Sequence, residues 1–437
     1  MQLIPPSGTT IPKQRFYDMK KLVIALAAAL VCCVSFSQHR MNPEAVARLK
    51  EDPTRAGVNT NSYEFLPIHD TPAPSGFKPF YISHYGRHGS RSDWGLGAYR
   101  RLEQCLVEAG EKGILTDEGK ALLEETRLVI KCHDNMNGRL TPLGFEEHKK
   151  IASRMYHRYP RVFKKGSKKI HANSSTSQRC IVSGAGFLVS LAGLDSKLDI
   201  SMDTGEEIMA WISSDMPKQG WKDSQPLLDA LSASFTPDTL FVRSHLFTDE
   251  QASRSIAPSA MRLMNDIYAV GRVDDPFELH RNIFRHLPFD ALYKFWEWSG
   301  AEMYIRQCNS VEFGDLRMTT TVRLADDFIN RADAAISTGE YCADLRFGHD
   351  YGLLALVSYF RLAGVGDRLT FDEACYKWLG DKLIPFASNL QMIFYRNRSG
   401  EVLVKFLYNE QENLITGLEP YSGPYYRWSD FKAMLGR

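Results

Sequence analysis

Two arginines flank one histidine in the motif Arg87-His88-Gly89-Ser90-Arg91, which follows an aromatic and β-branched run at residues 80–85. A guanidinium group is a rigid fork of donors that matches phosphate oxygens, and a neutral imidazole can act as a nucleophile. Because Gly89 has no side chain, we expect a ligand to reach the imidazole beside it. The motif therefore predicts an imidazole nucleophile next to arginines that bind a phosphoryl group.

Two later segments carry residues suited to the same chemistry. A hydroxyl-rich run at 173–177 follows a short strand-like stretch and precedes Arg179. We expect Arg179 at the start of a helix, where free backbone N–H groups and the helix dipole favour an anion. The pair His349-Asp350 follows another strand-like run at 341–348. Ligands of open α/β sheets bind at the carboxyl ends of strands, and these motifs occupy such positions.

These motifs, in this order, resemble the signature segments of the histidine phosphatase superfamily, in its acid phosphatase and phytase branch. Arg87-His88-Gly89-Ser90-Arg91 is similar to the family's Arg-His-Gly signature, and Leu140-Thr141-Pro142-Leu143-Gly144 to its Leu-Thr-x-x-Gly helix start. His349-Asp350 resembles the family's His-Asp pair, and the segment from Ser174 to Arg179 resembles the one with its third arginine. The resemblance covers about residues 77–194 and 340–365.

The resemblance implies a role for each matching residue. His88 is expected to accept the phosphoryl group as a phosphohistidine. Asp350 is expected to protonate the leaving oxygen and then to help deprotonate the attacking water. The residues expected to bind the substrate phosphate are Arg87, Arg91, Arg179 and His349. The resemblance implies neither a metal nor a cofactor, and a carboxylic acid as proton donor favours turnover below neutral pH.

The resemblance also implies an α/β fold in which helices flank a central, mostly parallel sheet. Residues 200–310 show amphipathic helical spacing and little strand pattern, so we interpret them as a helical cap domain inserted into the fold. The two parts of the α/β core would then be residues 38–199 and 311–437. Residues 39–76 contain five prolines, at positions 43, 53, 67, 72 and 74, and are predicted to be an irregular arm.

The N-terminal segment has the features of an export signal. Met19-Lys20-Lys21 precedes an apolar run at 22–34, and Ser35-Phe36-Ser37 then places small residues at the cleavage positions. Residues 1–37 are therefore predicted to be a signal peptide with an upstream extension, which makes the mature protein periplasmic or extracellular. Ala29-Leu30-Val31-Cys32 loosely resembles a lipobox, so lipoprotein anchoring stays open, although plain secretion is favoured.

The composition excludes several classes of partner. Of the 437 residues, 44% are hydrophobic and 24% are charged, which is typical of a soluble globular protein. The net charge of +1 gives no indication of a nucleic-acid partner, and the sequence contains no other run that reads as a membrane span. We expect a monomer that acts on a small-molecule phosphate ester. The cysteines beyond residue 37 form no CxxC pair, so zinc binding through cysteine is not predicted.

The sequence leaves the identity of the phosphate ester open. The aromatic run and Gly86 before the signature resemble bacterial secreted inositol polyphosphate phosphatases, but the usual proton-donor motif of that group is His-Ala-Glu, not His349-Asp350. We favour phytate-like inositol polyphosphates; a broad-specificity acid phosphatase acting on sugar phosphates and other small monoesters is the alternative. Four basic residues are candidate contacts for extra phosphates: Arg100, Arg101, Lys218 and Lys222. For each of them, a solvated surface position is the simpler interpretation.

An exported protein that binds a phosphate ligand without turning it over is a hypothesis from a different class. Such a protein would keep the arginines around the ligand and lose the reacting groups. The presence of both His88 and Asp350 argues against it.

Overall fold

The computed structural model describes residues 40–437, so the predicted signal peptide at 1–37 lies outside the described residues. The strands are β1 (Lys78–Arg87), β2 (Lys169–Ser174), β3 (Asp199–Thr204), β4 (Tyr341–Gly348), β5 (Asn389–Arg396), β6 (Val402–Tyr408), β7 (Gln411–Asn413) and β8 (Tyr425–Arg427). The helices are α1 (Pro43–Glu51), α2 (Gly97–Glu111), α3 (Asp117–Cys132), α4 (Pro142–Arg158), α5 (Pro160–Lys164), α6 (Gln178–Leu194), α7 (Glu206–Ile212), α8 (Lys218–Ala233), α9 (Thr239–Leu246), α10 (Glu250–Ile256), α11 (Ala260–Gly271), α12 (Phe289–Gln307), α13 (Gly314–Thr338), α14 (Asp350–Tyr359), α15 (Phe371–Lys377), α16 (Gly380–Leu383) and α17 (Trp428–Met434). Two 3₁₀ helices span Pro53–Thr60 and Ile283–His286.

The strands form one sheet in the order β3-β2-β4-β1-β5-β6-β7, with β8 beside β6. Strands β3, β2, β4 and β1 run parallel, whereas β5 and the strands beyond it pair in antiparallel fashion. Arg87 at the end of β1 pairs with Gly348 at the end of β4, and Ser174 at the end of β2 pairs with Phe347. The three parallel strands that precede the predicted motifs therefore end together at one edge of the sheet.

Helices cover both faces of this sheet, which confirms the predicted α/β architecture. The side chains of β1 alternate between the faces, as the pleat requires. Tyr81 and Tyr85 pack with α13 and α14 on one face, while Ile82 packs with α4 and α6 on the other. From Tyr81 to Arg87 every residue of β1 is buried, because a strand in the middle of a sheet covered on both faces has no solvent side.

The helix start predicted at Thr141-Pro142 is confirmed. The Thr141 hydroxyl accepts the N–H of Gly144 at 3.2 Å, and Pro142 occupies the first helical position of α4, where a missing N–H costs nothing.

The irregular arm predicted from the prolines at 39–76 is wrong in its first half. Pro43 occupies the first position of α1, and Pro53 that of the 3₁₀ helix which follows. The side-chain oxygen of Asn42 accepts the N–H groups of Glu44 and Ala45 and thereby caps α1. A proline at the start of a helix removes only an N–H that has no helical partner, so proline content alone did not exclude helix here.

The helical part of the molecule is assembled from three stretches of the chain. A single apolar cluster contains residues from α1 and the 3₁₀ helix Pro53–Thr60, from α2 and α3, and from the segment between α9 and α12. Within the predicted cap at 200–310, residues 206–307 contain helices α7 to α12, but residues 200–204 belong to β3, which pairs with β2. Strand β3 was not predicted because it is a half-exposed edge strand of mixed polarity. The division into a core and an inserted cap domain remains a proposal.

Two global features bear on the predictions. None of the helices between residues 40 and 437 combines the length and apolar character needed to cross a membrane. The cysteines at 105, 132, 180, 308, 342 and 375 are all free thiols.

Candidate active site

The predicted site residues lie at the carboxyl ends of β1, β2 and β4. His88 follows β1 directly, and His349 and Asp350 follow β4. Arg179 is the second residue of α6, which begins after the loop that leaves β2. The His88 and His349 rings lie 5.6 Å apart, measured between their centroids. The fold thus brings together residues more than 260 positions apart in the sequence.

Arg87 and Asp350 form an ion pair, with 2.9 Å between Nη2 and Oδ2; the Arg87 side chain is buried and the Asp350 side chain is partly buried. Arg87 also donates from Nη1 to the carbonyl oxygen of Ile384 at 2.7 Å. Burial by itself would raise the pKa of the Asp350 carboxyl, but Arg87, His349, Arg91 and the N–H of Tyr351 together outweigh burial and hold this pKa below its usual range. In this arrangement Asp350 is therefore a carboxylate at neutral pH.

The tautomer of His88 follows from its backbone contact. Nδ1 lies 2.9 Å from the carbonyl oxygen of Gly89, and because a carbonyl oxygen only accepts, Nδ1 must carry the proton. The lone pair of the ring is then on Nε2, the nitrogen that a nucleophile would use. Burial, followed by the charge of Arg87, lowers the pKa of His88 well below 6.5. The ring is consequently neutral even in mildly acidic solution.

Three guanidinium groups surround this histidine, and each keeps an unused donor. The Nε–H groups of Arg87, Arg91 and Arg179 are buried and have no hydrogen-bond partner among residues 40–437. Buried donors without partners are rare in folded proteins, because each lost hydrogen bond costs free energy. Burial together with the neighbouring Arg179 and Arg87 lowers the pKa of Arg91 to about 10, so that Arg91 stays charged at physiological pH. Such a cluster of charges and orphaned donors is suited to an oxyanion with several oxygens.

Aromatic rings hold the arginines in place. The Phe386 ring lies 4.6 Å from Cζ of Arg87 and 6.0 Å from Cζ of Arg91, and 5.7 Å from the His88 ring. Trp94 lies 5.1 Å from Cζ of Arg91 and 4.6 Å from Cζ of Arg179. These cation–π contacts orient the guanidinium groups while leaving their N–H donors for a ligand.

His349 is neutral and bonded at both ring nitrogens. Nη2 of Arg179 donates to Nδ1 at 3.3 Å, so Nε2 carries the proton and faces the Ser175 hydroxyl at 3.0 Å. The Tyr351 ring stacks on the imidazole with a centroid separation of 4.9 Å. Burial and the charge of Arg179 lower the pKa of His349 to about 3. The geometry therefore links the end of β4 to the arginine at the start of α6.

A buried carboxyl supports the loop that carries His88 and Arg91. Glu147 of α4 accepts the Ser90 N–H at 2.7 Å, the Ser90 hydroxyl at 2.8 Å and the Tyr63 N–H at 2.9 Å. Burial raises the pKa of Glu147 to about 7. A Cβ on Gly89 would overlap the backbone of Gly144, so the loop packs directly on the start of α4. Position 89 therefore requires a glycine for this close packing, a requirement that the sequence alone did not reveal.

Several residues of the site were not predicted. Asn59, in the 3₁₀ helix Pro53–Thr60, donates from Nδ2 to Oδ2 of Asp350 at 3.1 Å. Arg272, after α11, is close enough to Arg91 for its charge to lower the pKa of that residue. Neither residue lies in a recognisable motif, and both come from the helical part of the molecule. The signal that could have indicated Arg272 is a basic residue at the end of an amphipathic helix, which is common on protein surfaces.

The basic residues suggested for extra phosphates have other partners or lie on the surface. Arg101 pairs with Asp266 at 2.5 Å, and Arg100 with Glu103 at 3.0 Å. Lys218 and Lys222 are exposed on α8.

Comparison with solved structures finds the same fold in phosphatases. A multiple inositol polyphosphate phosphatase of Bifidobacterium longum, solved with inositol hexasulfate, superposes with a TM-score of 0.70 at 18% identity, over 87% of this chain and 97% of that one. The phytase of D. castellii superposes with a TM-score of 0.63 at 13% identity, over 88% of this chain and 84% of the other. A phytase of Klebsiella sp. ASR1 superposes with a TM-score of 0.51 at 11% identity, over 82% of this chain and 95% of that one.

None of the protein-family models and none of the curated proteins compared with this chain matches it. The fold is therefore established by structure, and it is the fold that the motifs led us to expect, that of histidine acid phosphatases.

Proposed function

We propose that this protein is a phosphoric monoester hydrolase that cleaves inositol polyphosphates through a phosphohistidine on His88. The observation that carries this proposal is the set of buried, unpartnered Nε–H donors on Arg87, Arg91 and Arg179 around a neutral imidazole. In phosphoryl transfer, positive groups must neutralise the equatorial oxygens of the phosphoryl group. The nucleophile must also lie in line with the bond from phosphorus to the leaving oxygen. A phosphoryl group bound by these arginines would satisfy the orphaned donors and present phosphorus to Nε2 of His88.

In the first step the lone pair on Nε2 of His88 attacks phosphorus and the bond from phosphorus to the ester oxygen breaks. The leaving oxygen takes its proton from Asp350. In the second step a water molecule attacks the phosphohistidine, the N–P bond breaks, and Asp350 recovers a proton from that water. His349 would add a hydrogen bond to the phosphate by exchanging its contact with the Ser175 hydroxyl.

The proton on Asp350 depends on the substrate. In the ligand-free arrangement Arg87 lowers the pKa of this carboxyl. A bound phosphate dianion would offset the positive charge of Arg87 and place negative charge near Asp350, and both effects raise the pKa of the carboxyl. Substrate binding would thus promote protonation of the general acid. Turnover should accordingly be favoured in acidic solution. The export signal predicted at 1–37 separately suits a periplasmic or extracellular enzyme.

The fold supports inositol polyphosphates over small monoesters as substrates. The solved proteins of this fold include an inositol polyphosphate phosphatase and phytases. Within this chain, Arg272 adds a positive charge close to Arg91 from outside the His88 motif. A substrate with several phosphates can use a cation beyond those that bind the reacting group, whereas a small monoester cannot.

The test compares phosphate release from inositol hexakisphosphate, glucose 1-phosphate and para-nitrophenyl phosphate at acid and neutral pH. We expect the highest kcat/KM on the inositol ester. Arg272→Gln should lower kcat/KM on the inositol ester more than on para-nitrophenyl phosphate, whereas Arg262→Gln, at an exposed position within α11, should change neither. Activity on the small esters alone would favour the broad-specificity acid phosphatase. No activity on any ester would support the phosphate-binding protein instead.

A further inference from the structure

A second cluster of polar groups lies in the helical part, on elements that carry none of the residues around His88. It consists of Glu118 at the start of α3, His245 near the end of α9, and His286 in the 3₁₀ helix Ile283–His286. Nε2 of His245 lies 3.2 Å from Nδ1 of His286. Oε2 of Glu118 lies 3.7 Å from Nδ1 of His286 and 4.0 Å from Nε2 of His245. Three ligand atoms of the types that zinc binds therefore face one another.

A carboxylate fixes the tautomer of His286 so that its lone pair faces this cluster. The His286 side chain is completely buried, and its Nε2 lies 3.0 Å from Oε2 of Glu125. Because a carboxylate accepts, Nε2 carries the proton and Nδ1 is left as a bare acceptor. A histidine whose second nitrogen donates to a carboxylate is the usual arrangement around protein-bound zinc. Phe241 stacks on His245 at a centroid distance of 5.0 Å and so fixes the orientation of the second ring.

The distances are those of a nearly formed tetrahedral site. Zinc binds imidazole nitrogen and carboxylate oxygen at about 2.0–2.1 Å, which places tetrahedral ligand atoms about 3.3 Å from one another. The observed separation of the two nitrogens is 3.2 Å, and Glu118, whose side chain is 48% exposed, is free to rotate the remaining few tenths of an ångström inward. Water would supply the fourth ligand, as in other sites with two histidines and one glutamate.

The charges around the cluster are compatible with a bound cation. Glu118 and Glu125 supply two carboxylates, and Arg285 is the cation near them, with Nη2 2.7 Å from Oε1 of Glu125 and Nε 3.5 Å from Oε2 of Glu118. Arg285 is about one-third exposed, so its guanidinium can keep Glu125 and release Glu118 to an ion. With zinc bound, Glu125 stays paired with Arg285 and His286, and no carboxylate is left without a counter-charge.

We propose that Glu118, His245 and His286 bind one Zn²⁺ ion. The ion would tie the start of α3 to α9 and to the 3₁₀ helix Ile283–His286, segments that lie up to 168 positions apart in the sequence. No residue of the cluster belongs to the phosphate site. The proposal does not depend on the reaction proposed for His88.

The experiment titrates metal-free full-length protein with zinc chloride by calorimetry near pH 7.5. We expect one equivalent to bind and the temperature of unfolding to rise with zinc. His245→Ala and Glu118→Gln should weaken binding at least about tenfold, and Glu125→Gln should weaken it through the tautomer of His286. Cobalt in place of zinc should give the visible absorption of a tetrahedral site, and this absorption should be absent in His245→Ala.

His157→Ala is the matched control, because His157 is an exposed helical histidine whose ring contacts only Ser153 and the Tyr156 ring. It should bind zinc like the wild type. The proposal is overturned if the wild type binds no stoichiometric zinc. It is equally overturned if His245→Ala and Glu118→Gln bind zinc as tightly as His157→Ala.

Discussion

The Arg87 guanidinium lies 2.9 Å from the Asp350 carboxylate, so the group proposed to bind the phosphate also contacts the group proposed to donate the proton. Arg87 ends β1, and Asp350 begins α14, two residues beyond the end of the neighbouring parallel strand β4. The contact would couple the two proposed roles, because a phosphate that neutralises Arg87 would raise the pKa of Asp350. Asp350 would then become protonated, and able to act as the general acid, when the substrate binds.

Asp350→Asn removes the proton donor and keeps the shape of the side chain. We expect kcat/KM, which reports only the formation of the phosphohistidine, to fall by about 10²–10⁴-fold on an alkyl phosphate, whose leaving oxygen needs a proton. The loss should be smaller on para-nitrophenyl phosphate, because nitrophenolate leaves without protonation. Steady-state kinetics on both esters measure the difference. Asp372→Asn, at an exposed position in α15, should leave both rates unchanged, and equal losses on the two esters in Asp350→Asn would remove the acid role.

Arg179→Gln should change the pH dependence of the reaction as well as its rate. The charge of Arg179 lowers the pKa of His88, by less than burial, Arg87 and His349 do. Because only neutral His88 can attack, its protonation should set the acid limb of the wild-type profile, the fall of kcat/KM at low pH, and should place that limb well below pH 6.5. Removing the charge raises the pKa of His88, so the acid limb of the profile moves to higher pH.

The control for this profile is Arg161→Gln, which removes an exposed arginine from α5. Its acid limb should coincide with that of the wild type. An unshifted acid limb in Arg179→Gln would show that protonation of His88 does not set the limb.

The residues that the fold brings together at the candidate site could be predicted from sequence because each motif is local. His88, Arg179 and His349 each sit at or just beyond the end of one strand, and residue types and order within a short stretch are enough to find them. Asn59 could not be found in the same way, since its contact with Asp350 joins positions 291 residues apart. Proline placement misled the prediction before β1, because a proline at the first position of a helix and a proline in a loop look the same without the cap at Asn42.

Trp94→Ala tests whether the exposed ring holds Arg91 and Arg179 for the substrate. The Trp94 residue is 61% exposed, so its removal should change the free energy of unfolding by no more than about 0.5 kcal/mol. Each cation–π contact at such a site is worth about 0.5–1 kcal/mol, so KM should rise about 2–5-fold with little change in kcat. Leu240→Ala, at a residue that is 59% exposed, is the control and should leave KM unchanged. A wild-type KM in Trp94→Ala would exclude the ring from substrate binding.

Glu147→Ala should destabilise the loop that carries His88. It leaves the N–H groups of Ser90 and Tyr63 buried without acceptors, at a cost of about 2–4 kcal/mol in the free energy of unfolding. The pKa of this buried carboxyl is raised to about 7, so its contribution to stability is full below the unfolded pKa and declines as pH rises through 7. The loss in Glu147→Ala should therefore be larger at pH 4.5 than at pH 8.

Denaturant unfolding at the two pH values measures this difference. The neighbouring Glu146 is exposed and pairs only with Lys149, so Glu146→Ala should stay within about 0.5 kcal/mol of the wild type at both. If Glu147→Ala were as stable as Glu146→Ala, the claim that the buried Glu147 carboxyl stabilises this loop would be wrong.

The covalent intermediate is the central claim, and it is tested most directly by mixing the protein briefly with para-nitrophenyl phosphate. Quenching in alkali preserves a phosphohistidine, and mass spectrometry of the peptides then locates the phosphate. The account predicts phosphate on His88, and a loss of at least about 10³-fold in phosphate release by His88→Ala, with His157→Ala as active as the wild type. Hydrolysis of para-nitrophenyl phosphate by His88→Ala at the wild-type rate would contradict it.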